Sequence, residues 1–449
     1  MTHWPELLLL IYISAAWFLR KKCGKEIWGF WAFATAILII GLEEWMIKSN
    51  LSSTSYQSGE ARIKLLLLIS GCAVSYILKA KNFDGQILTT ISVLGSLAAI
   101  SARDFWKLFF ALELAAIPLY RELMRDKSPQ QRMILIVLPP RLFYALLGSV
   151  FFMLATILIY FSTESTIFGE VRYIVSFNSG VVQEIAMLMI LFSIGQKLGI
   201  GLQHFTLTDA SLVKTSSPIV LCPLQTISAI VFYRLTTNIF CYIDGSWIIS
   251  TVGLVFVLCG SFLLISQQNI RKIVACSILC HMGMIFLCSV SPFSHDGMQS
   301  ILCIVVAWNT VILGIYRLQE WRSLQNLDDL QMASSQYPAF TMAVTILFLS
   351  LLGFAPFLGF WSRFNLCQAL LGWSGGALTI YMISCLFNLI GLAKILDCIW
   401  SSKKQPPRNL QIDPEFVREI YFLALAAIVA IPLAYRVLNT ENMEAYFVQ

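Results

Sequence analysis

The sequence predicts an all-α polytopic membrane protein of about fourteen transmembrane helices, and three observations carry that expectation. The chain of 449 residues is 58% hydrophobic and only 12% charged, with a mean hydropathy of +0.75, too apolar a balance for a protein that closes its own core in water. Apolar runs recur along its whole length. Lysine and arginine gather in alternate loops between those runs, as they do when short loops stay on one side of a membrane.

The runs lie near 5–19, 27–47, 63–78, 85–101, 105–124, 142–161, 184–208, 215–233, 247–266, 273–290, 298–316, 340–362, 371–396 and 419–435. Most reach the ~17 to 25 residues that a bilayer crossing takes. The start, "MTHWPELLLLIYISAAWFLRKKC", places its charges after its apolar run, so it reads as a retained first span. The longest loops, 48–62, 162–183, 317–339 and 397–418, leave no room for a soluble domain. A single membrane domain over 1–449 is expected.

Odd-numbered loops carry the cations: Arg20, Lys21, Lys22 and Lys25 in the first, Lys79 and Lys81 in the third, Arg121, Arg125, Lys127, Arg132 and Arg141 in the fifth. The bias continues with Arg271 and Lys272, Arg317 and Arg322, and Lys403, Lys404, Arg408 and Arg418. Lys48, Arg62 and Lys64 in the second loop blur it. With about fourteen spans, both termini fall on the side away from the basic loops. A charge of +6 spent this way gives no footprint for nucleic acid.

The twelve cysteines contain no C-x-x-C pair and fall mostly inside spans, where they read as small apolar residues. The four histidines are dispersed, so no metal site is expected. No nucleotide-binding loop or cluster motif is present, so no cofactor is expected on this chain.

Ionisable groups inside the spans point to function. Glu113 interrupts "LFFALELAAIPLY"; Lys197 lies in "FSIGQKLGIGLQHF" with His204 two turns on; His281 lies in "ILCHMGMIFL"; Arg363 lies in "LLGFAPFLGFWSRF". A charge at the bilayer centre costs on the order of 2.5–3.5 kcal/mol even on lenient scales, so such groups usually face a polar interior. Each also has a purely structural reading: Glu113 as a hydrogen-bonded carboxyl, Lys197 snorkelling to an interface, His281 satisfied in the core, Arg363 anchoring a helix end. Glu43 and Glu44 read as an interfacial cap, and Lys394 with Asp397 as an ion pair at a loop end.

The joint pattern outweighs its members. The seventh span is interrupted by Gly195, Gly199 and Gly201 and the twelfth by Gly353, Pro356 and Gly359, and each carries a cation beside the interruption. Matching broken spans in two halves point to a transporter built on inverted repeats. Freed backbone groups are tolerated only in protein or along a wet cavity, so water is expected to reach Lys197 and Arg363.

Five stretches resemble the antiporter-like subunits of proton-pumping NADH:quinone oxidoreductase, respiratory complex I, and most of all its subunit 2, the N subunit of bacteria. They are "FDGQILTTISVLGSLAAISARDFWKLFFALELAAIPLY", "GQKLGIGLQHF", "SSPIVLCPLQTISAIVF", "QQNIRKIVACSILCHMGMIFL" and "SLLGFAPFLGFWSRF", and the resemblance covers most of residues 84 to 370. The resemblance implies about fourteen helices, with helices 4–8 and 9–13 as inverted five-helix repeats and helices 7 and 12 broken. The N-terminal helices then occupy 1–83, the first repeat 84–235, the second 246–400, and the last helix and tail 415–449.

It also implies a proton relay through Glu113, Lys197, His204 and Arg363, coupled to NADH:ubiquinone oxidoreduction by the whole complex. FMN, iron–sulfur clusters and quinone are expected on other subunits. The expected partners are the subunit 4 antiporter-like neighbour, the small subunits 4L, 6 and 3, and membrane lipids. The mitochondrial inner membrane is the expected location, with the bacterial plasma membrane as the alternative.

Two departures stand out. Ser228 occupies the place of the family's central helix-eight lysine, and Arg363 that of its helix-twelve lysine. A guanidinium does not release its proton in the normal range. Ser228 and His281 are therefore kept as further relay candidates. Two other readings remain open: a subunit of an Mrp-type cation/proton antiporter or membrane-bound hydrogenase, and a non-pumping structural subunit in the subunit 2 position.

Overall fold

A computed structural model of the chain describes residues 83–125, 140–177, 180–198, 217–242, 245–290, 294–320 and 326–400, with isolated positions between 63 and 69 and between 417 and 424. The expected spans near 5–19 and 27–47 lie outside the described residues, and those near 63–78 and 419–435 largely so. The described residues are helical throughout, joined by turns and two isolated β-bridges, and they divide between Ser246 and Trp247 into two compact units.

The first unit holds α1 (Phe83–Ile100), α2 (Phe105–Arg125), α3 (Pro140–Thr163), α4 (Phe168–Phe177), α5 (Val181–Leu198) and α6 (Ser217–Asn238), followed by a 3-10 turn, Phe240–Tyr242. Small residues decide how closely these helices approach. A Cβ on Gly95 of α1 would meet the backbone of Ala111 and Ala115 on α2, and Ser92 Oγ on α1 donates to Ala115 O at 3.0 Å. A Cβ on Gly148 of α3 would lie 3.3 Å from Gln196 Cβ on α5. The first contact sets α1 against α2, and the second sets α3 against the end of α5.

The loops of this unit are locked together. Asp104 Oδ1 accepts the Trp106 amide at 2.7 Å, which satisfies a free donor in the first turn of α2. Asp104 bridges Ile167 as well. Arg234, on α6, donates through Nη1 to Ile100 O at 3.0 Å and Ala102 O at 3.1 Å, so a cation sits on carbonyls at the C-terminal end of α1.

The second unit holds α7 (Ser246–Ser266), α8 (Ile270–Val290), α9 (Ser294–Glu320), α10 (Leu327–Gln336), α11 (Pro338–Leu352), α12 (Leu358–Leu371) and α13 (Gly375–Trp400). Glycines again set the spacing: a Cβ on Gly260 of α7 would stand 2.5 Å from the Cys280 amide nitrogen of α8. Asn269 bridges Asn326, and Lys394 on α13 donates to Ile265 O at 2.6 Å, again at the end of the first fully described helix of its unit.

Five helical stretches are long and apolar enough to cross a membrane among the described residues: Leu142–Thr163, Val181–Leu198, Ser246–Ser266, Lys272–Val290 and Gly375–Trp400. The most apolar window of Lys272–Val290 is 89% buried within the protein and that of Gly375–Trp400 only 33%, so α8 is enclosed by its neighbours while α13 turns apolar surface outward. Phe161, Phe177 and Leu371 are among the exposed large side chains. A multi-pass helical membrane protein is the outcome, as the composition requires.

Two helices fall where loops were expected, α4 within 162–183 and α10 within 317–339. Ten residues each, they are too short to register as spans. The expected twelfth span, 340–362, is divided: α11 ends at Leu352, Gly353 adopts φ +79, and α12 starts at Leu358. Gly195 does not interrupt its helix, since α5 continues through it to Leu198, and Gly199 and Gly201 lie outside the described residues.

Candidate functional site

Three helices of the first unit converge on Lys197. The lysine sits in the last described turn of α5. Its side chain is 5% exposed, and Nζ lies 2.7 Å from Glu113 Oε1 on α2. An ammonium hidden from water needs such a partner, because an unpaired buried charge is costly.

The pair is held on both sides. Tyr120 OH, two helical turns beyond Glu113 on α2, donates to Glu113 Oε2 at 2.9 Å. Lys197 Nζ donates to Tyr120 OH and to Ser149 Oγ of α3, each at 3.3 Å, and the two hydroxyls are 3.0 Å apart. Four side chains from α2, α3 and α5 thus form a closed network in which both carboxylate oxygens and the ammonium are engaged.

Neither Tyr120 nor Ser149 was anticipated. The seven-residue spacing from Glu113 to Tyr120, two turns on one helix face, was the available signal for the first. Ser149 carried none, since a serine within an apolar helix commonly bonds the carbonyl one turn back. Its neighbour Gly148, which lets α3 approach α5, is what brings the hydroxyl to Nζ.

Three buried polar atoms of the first unit have no hydrogen-bond partner among the described residues: Ser193 Oγ, one turn before Lys197, Gln196 Oε1 beside it, and Gln225 Oε1 on α6. Buried polar atoms of native proteins are nearly always satisfied by protein or by ordered water. Water is the natural partner of all three.

Ser228, also on α6, is fully buried, and its hydroxyl donates to Leu224 O at 2.7 Å. The structure thus places it in an internal helix contact and not in the Lys197 network. His204 lies outside the described residues.

Arg363 and His281 belong to the second unit. Arg363, on α12, is buried to 7% exposure and donates through Nη1 to Cys385 Sγ of α13 at 3.8 Å, while Nε has no partner among the described residues. Its stem lies across Gly353, at the C-terminal cap of α11, where any Cβ would strike the guanidinium chain. His281 on α8 is 1% exposed; Nδ1 donates to Ser277 O at 2.7 Å and leaves Nε2 as an unpaired acceptor. Lys394 caps α7 through Ile265 O instead of forming the expected ion pair at a loop end.

Residues 102–388 match the family described as NADH:quinone oxidoreductase/Mrp antiporter, TM. The chain is 23% identical to NADH-quinone oxidoreductase subunit N of Rhodobacter capsulatus, covering 98% of this chain and 96% of that protein. Its fold superposes on a chain of respiratory complex I from Thermus thermophilus with bound Aureothin at TM-score 0.76, with 17% identity and 98% of each chain covered. A chain of the membrane-bound sulfane sulfur reductase (MBS), an archaeal respiratory membrane complex, superposes at TM-score 0.80, with 14% identity, covering 100% of this chain and 98% of that one.

Proposed function

The chain belongs to the NADH:quinone oxidoreductase/Mrp antiporter family of transmembrane proteins, and on that premise we propose that it is a proton-translocating membrane-arm subunit of respiratory complex I. The single observation that carries the reading is the Lys197–Glu113 ion pair, 2.7 Å long between two helices of an apolar protein. The name carried by the Rhodobacter capsulatus relative, matched end to end, supports complex I over the other assemblies.

The pair works as a charge-coupled relay. While Glu113 stays close, the ammonium form of Lys197 is stabilised; when a charge movement in a neighbouring subunit draws Glu113 away, one N–H bond of Lys197 breaks and the proton passes to water. Return of Glu113 restores the affinity for a proton from the other side. Tyr120 and Ser149 keep the ends of this exchange in register. No step needs a cofactor on this chain; FMN, iron–sulfur clusters and quinone act on other subunits. The neighbours are other membrane-arm subunits, among them the subunit 4 antiporter-like protein and subunits 4L, 6 and 3, together with lipid.

The two units are taken as the paired repeats of helices 4–8 and 9–13. Supporting this, among the described residues each unit joins the loops flanking its helices through one isolated bridge, and a cation from a late helix donates to carbonyls at the end of an early one, Arg234 to the end of α1 and Lys394 to the end of α7. The bacterial origin of the subunit N relative favours a plasma membrane over the mitochondrial inner membrane that the sequence suggested, and the name N subunit over subunit 2.

Mild extraction of native membranes, a native gel stained for NADH dehydrogenase activity and mass spectrometry of the bands provide the test. The chain is expected in the large NADH-oxidising band. Its recovery only in assemblies that oxidise no NADH transfers it to the antiporter or reductase branch, which the likeness to the archaeal MBS complex keeps open on grounds of fold.

A further inference from the structure

Arg363 poses a problem of charge. Its guanidinium is buried to 7% exposure and keeps its proton in any normal range, yet no carboxylate lies within ion-pair distance of it among the described residues. A buried charge without a counter-charge is held only against its desolvation cost. The first unit meets the same problem with Glu113; among the described residues the second has nothing of that kind.

What surrounds Arg363 is a set of thiols and a phenol. Cys280 and His281 come from α8, Cys367 from α12 itself, and Tyr381 and Cys385 from α13, and Cys280, Cys385 and Tyr381 are within electrostatic reach of the guanidinium. The N–H of Nη1 is directed at one of them, Cys385 Sγ, at 3.8 Å. Cys280 Sγ is already bonded by Asn388 Nδ2 at 3.6 Å, and Tyr381, 0% exposed, has no partner for its hydroxyl among the described residues. Cys385 is only partly buried, so of these groups it both touches the guanidinium and reaches the surface of the unit.

We propose that the Cys385 thiol is the proton-holding group of the second unit, with Arg363 as its fixed counter-charge. The inference rests on the proton-relay reading above. When the S–H bond breaks, the proton leaves on water and the electron pair stays on sulfur, so the thiolate and guanidinium form a neutral pair. Reprotonation of the thiolate from the opposite side returns the pair to a net single positive charge. No electron is transferred. The roles are those of Glu113 and Lys197 exchanged: in the first unit the cation gives up the proton, and in the second the acid beside a permanent cation does so. The loss of a lysine at position 363 then removes a proton carrier without removing the proton step.

The test uses the whole complex carrying Cys385→Ser, Cys385→Ala or Arg363→Lys with Cys385→Ala, with Lys197→Met as the reference. Infrared difference spectra should show an S–H stretching band, absent in all three variants that replace Cys385, that disappears as pH rises and changes during NADH turnover. Protons moved per NADH should fall in Cys385→Ser, whose hydroxyl fills nearly the same space but does not ionise, and recover in the double variant, whose lysine carries its own proton. Persistence across the pH range of the band that the Cys385 variants lack, or Cys385→Ser pumping at the wild-type ratio while Lys197→Met is impaired, overturns the proposal and leaves the relay standing. Wild-type ratios in both Cys385→Ser and Lys197→Met overturn the relay as well.

Discussion

The carboxylate of Glu113 gives one oxygen to Lys197 and the other to Tyr120, and this division makes the tyrosine a graded control on the ion pair. Tyr120→Phe removes a hydroxyl that touches Glu113, Ser149 and Lys197 while leaving the 2.7 Å contact intact. The loss of a hydrogen bond of this kind costs about 1 kcal/mol. Protons moved per NADH by the reconstituted complex should therefore fall part of the way, less than for Glu113→Gln, which discharges the pair. A Tyr120→Phe ratio equal to that of Glu113→Gln is incompatible with a supporting role.

At this scale the sequence showed its charges and hid their surroundings. Glu113 and Lys197 stood out because a charge in an apolar run demands an explanation. Tyr120 and Ser149 are ordinary in such a run, and only the meeting of α2, α3 and α5 gives them a task. The cysteines read correctly as small buried residues at Cys222, Cys276 and Cys303, but the same reading passed over Cys385, whose significance comes from a guanidinium twenty-two residues earlier in the chain.

Among the elements, close helix approach at small residues holds each unit together. Gly95→Leu places a side chain into the backbone of α2 at Ala111 and Ala115, where nothing flexible can yield. Overpacking of this sort costs roughly 1–3 kcal/mol, and here it also displaces the helix that carries Glu113. The expected result is a lower midpoint for thermal loss of the complex on native gels, together with reduced pumping. Retention of the wild-type midpoint shows that α1 and α2 do not pack as described.

Helix existence was legible because long apolar stretches have few other solutions in a bilayer. The short α4 and α10 were not, since ten residues with mixed polarity read equally as loop. The break in the twelfth span was legible from Gly353, Pro356 and Gly359, whereas the expected interruption at Gly195 was absent because a single glycine lowers helix stability by only about 1 kcal/mol and packing overrides it.

Across the whole molecule, each compact unit buries a cation between helices at its candidate relay position, Lys197 in the first and Arg363 in the second. The arrangement of spans into two such units was suggested by the paired interruptions, but the identity of the counter-charges was not, because partners from separate helices cannot be read from spacing along the chain. The central claim is that the Glu113–Lys197 pair moves protons within an assembled NADH-oxidising complex. The most direct measurement is the number of protons translocated per NADH oxidised in proteoliposomes, for Lys197→Met against wild type, with assembly of both verified on native gels. A lowered ratio in the fully assembled variant is the predicted result; an unchanged ratio contradicts it.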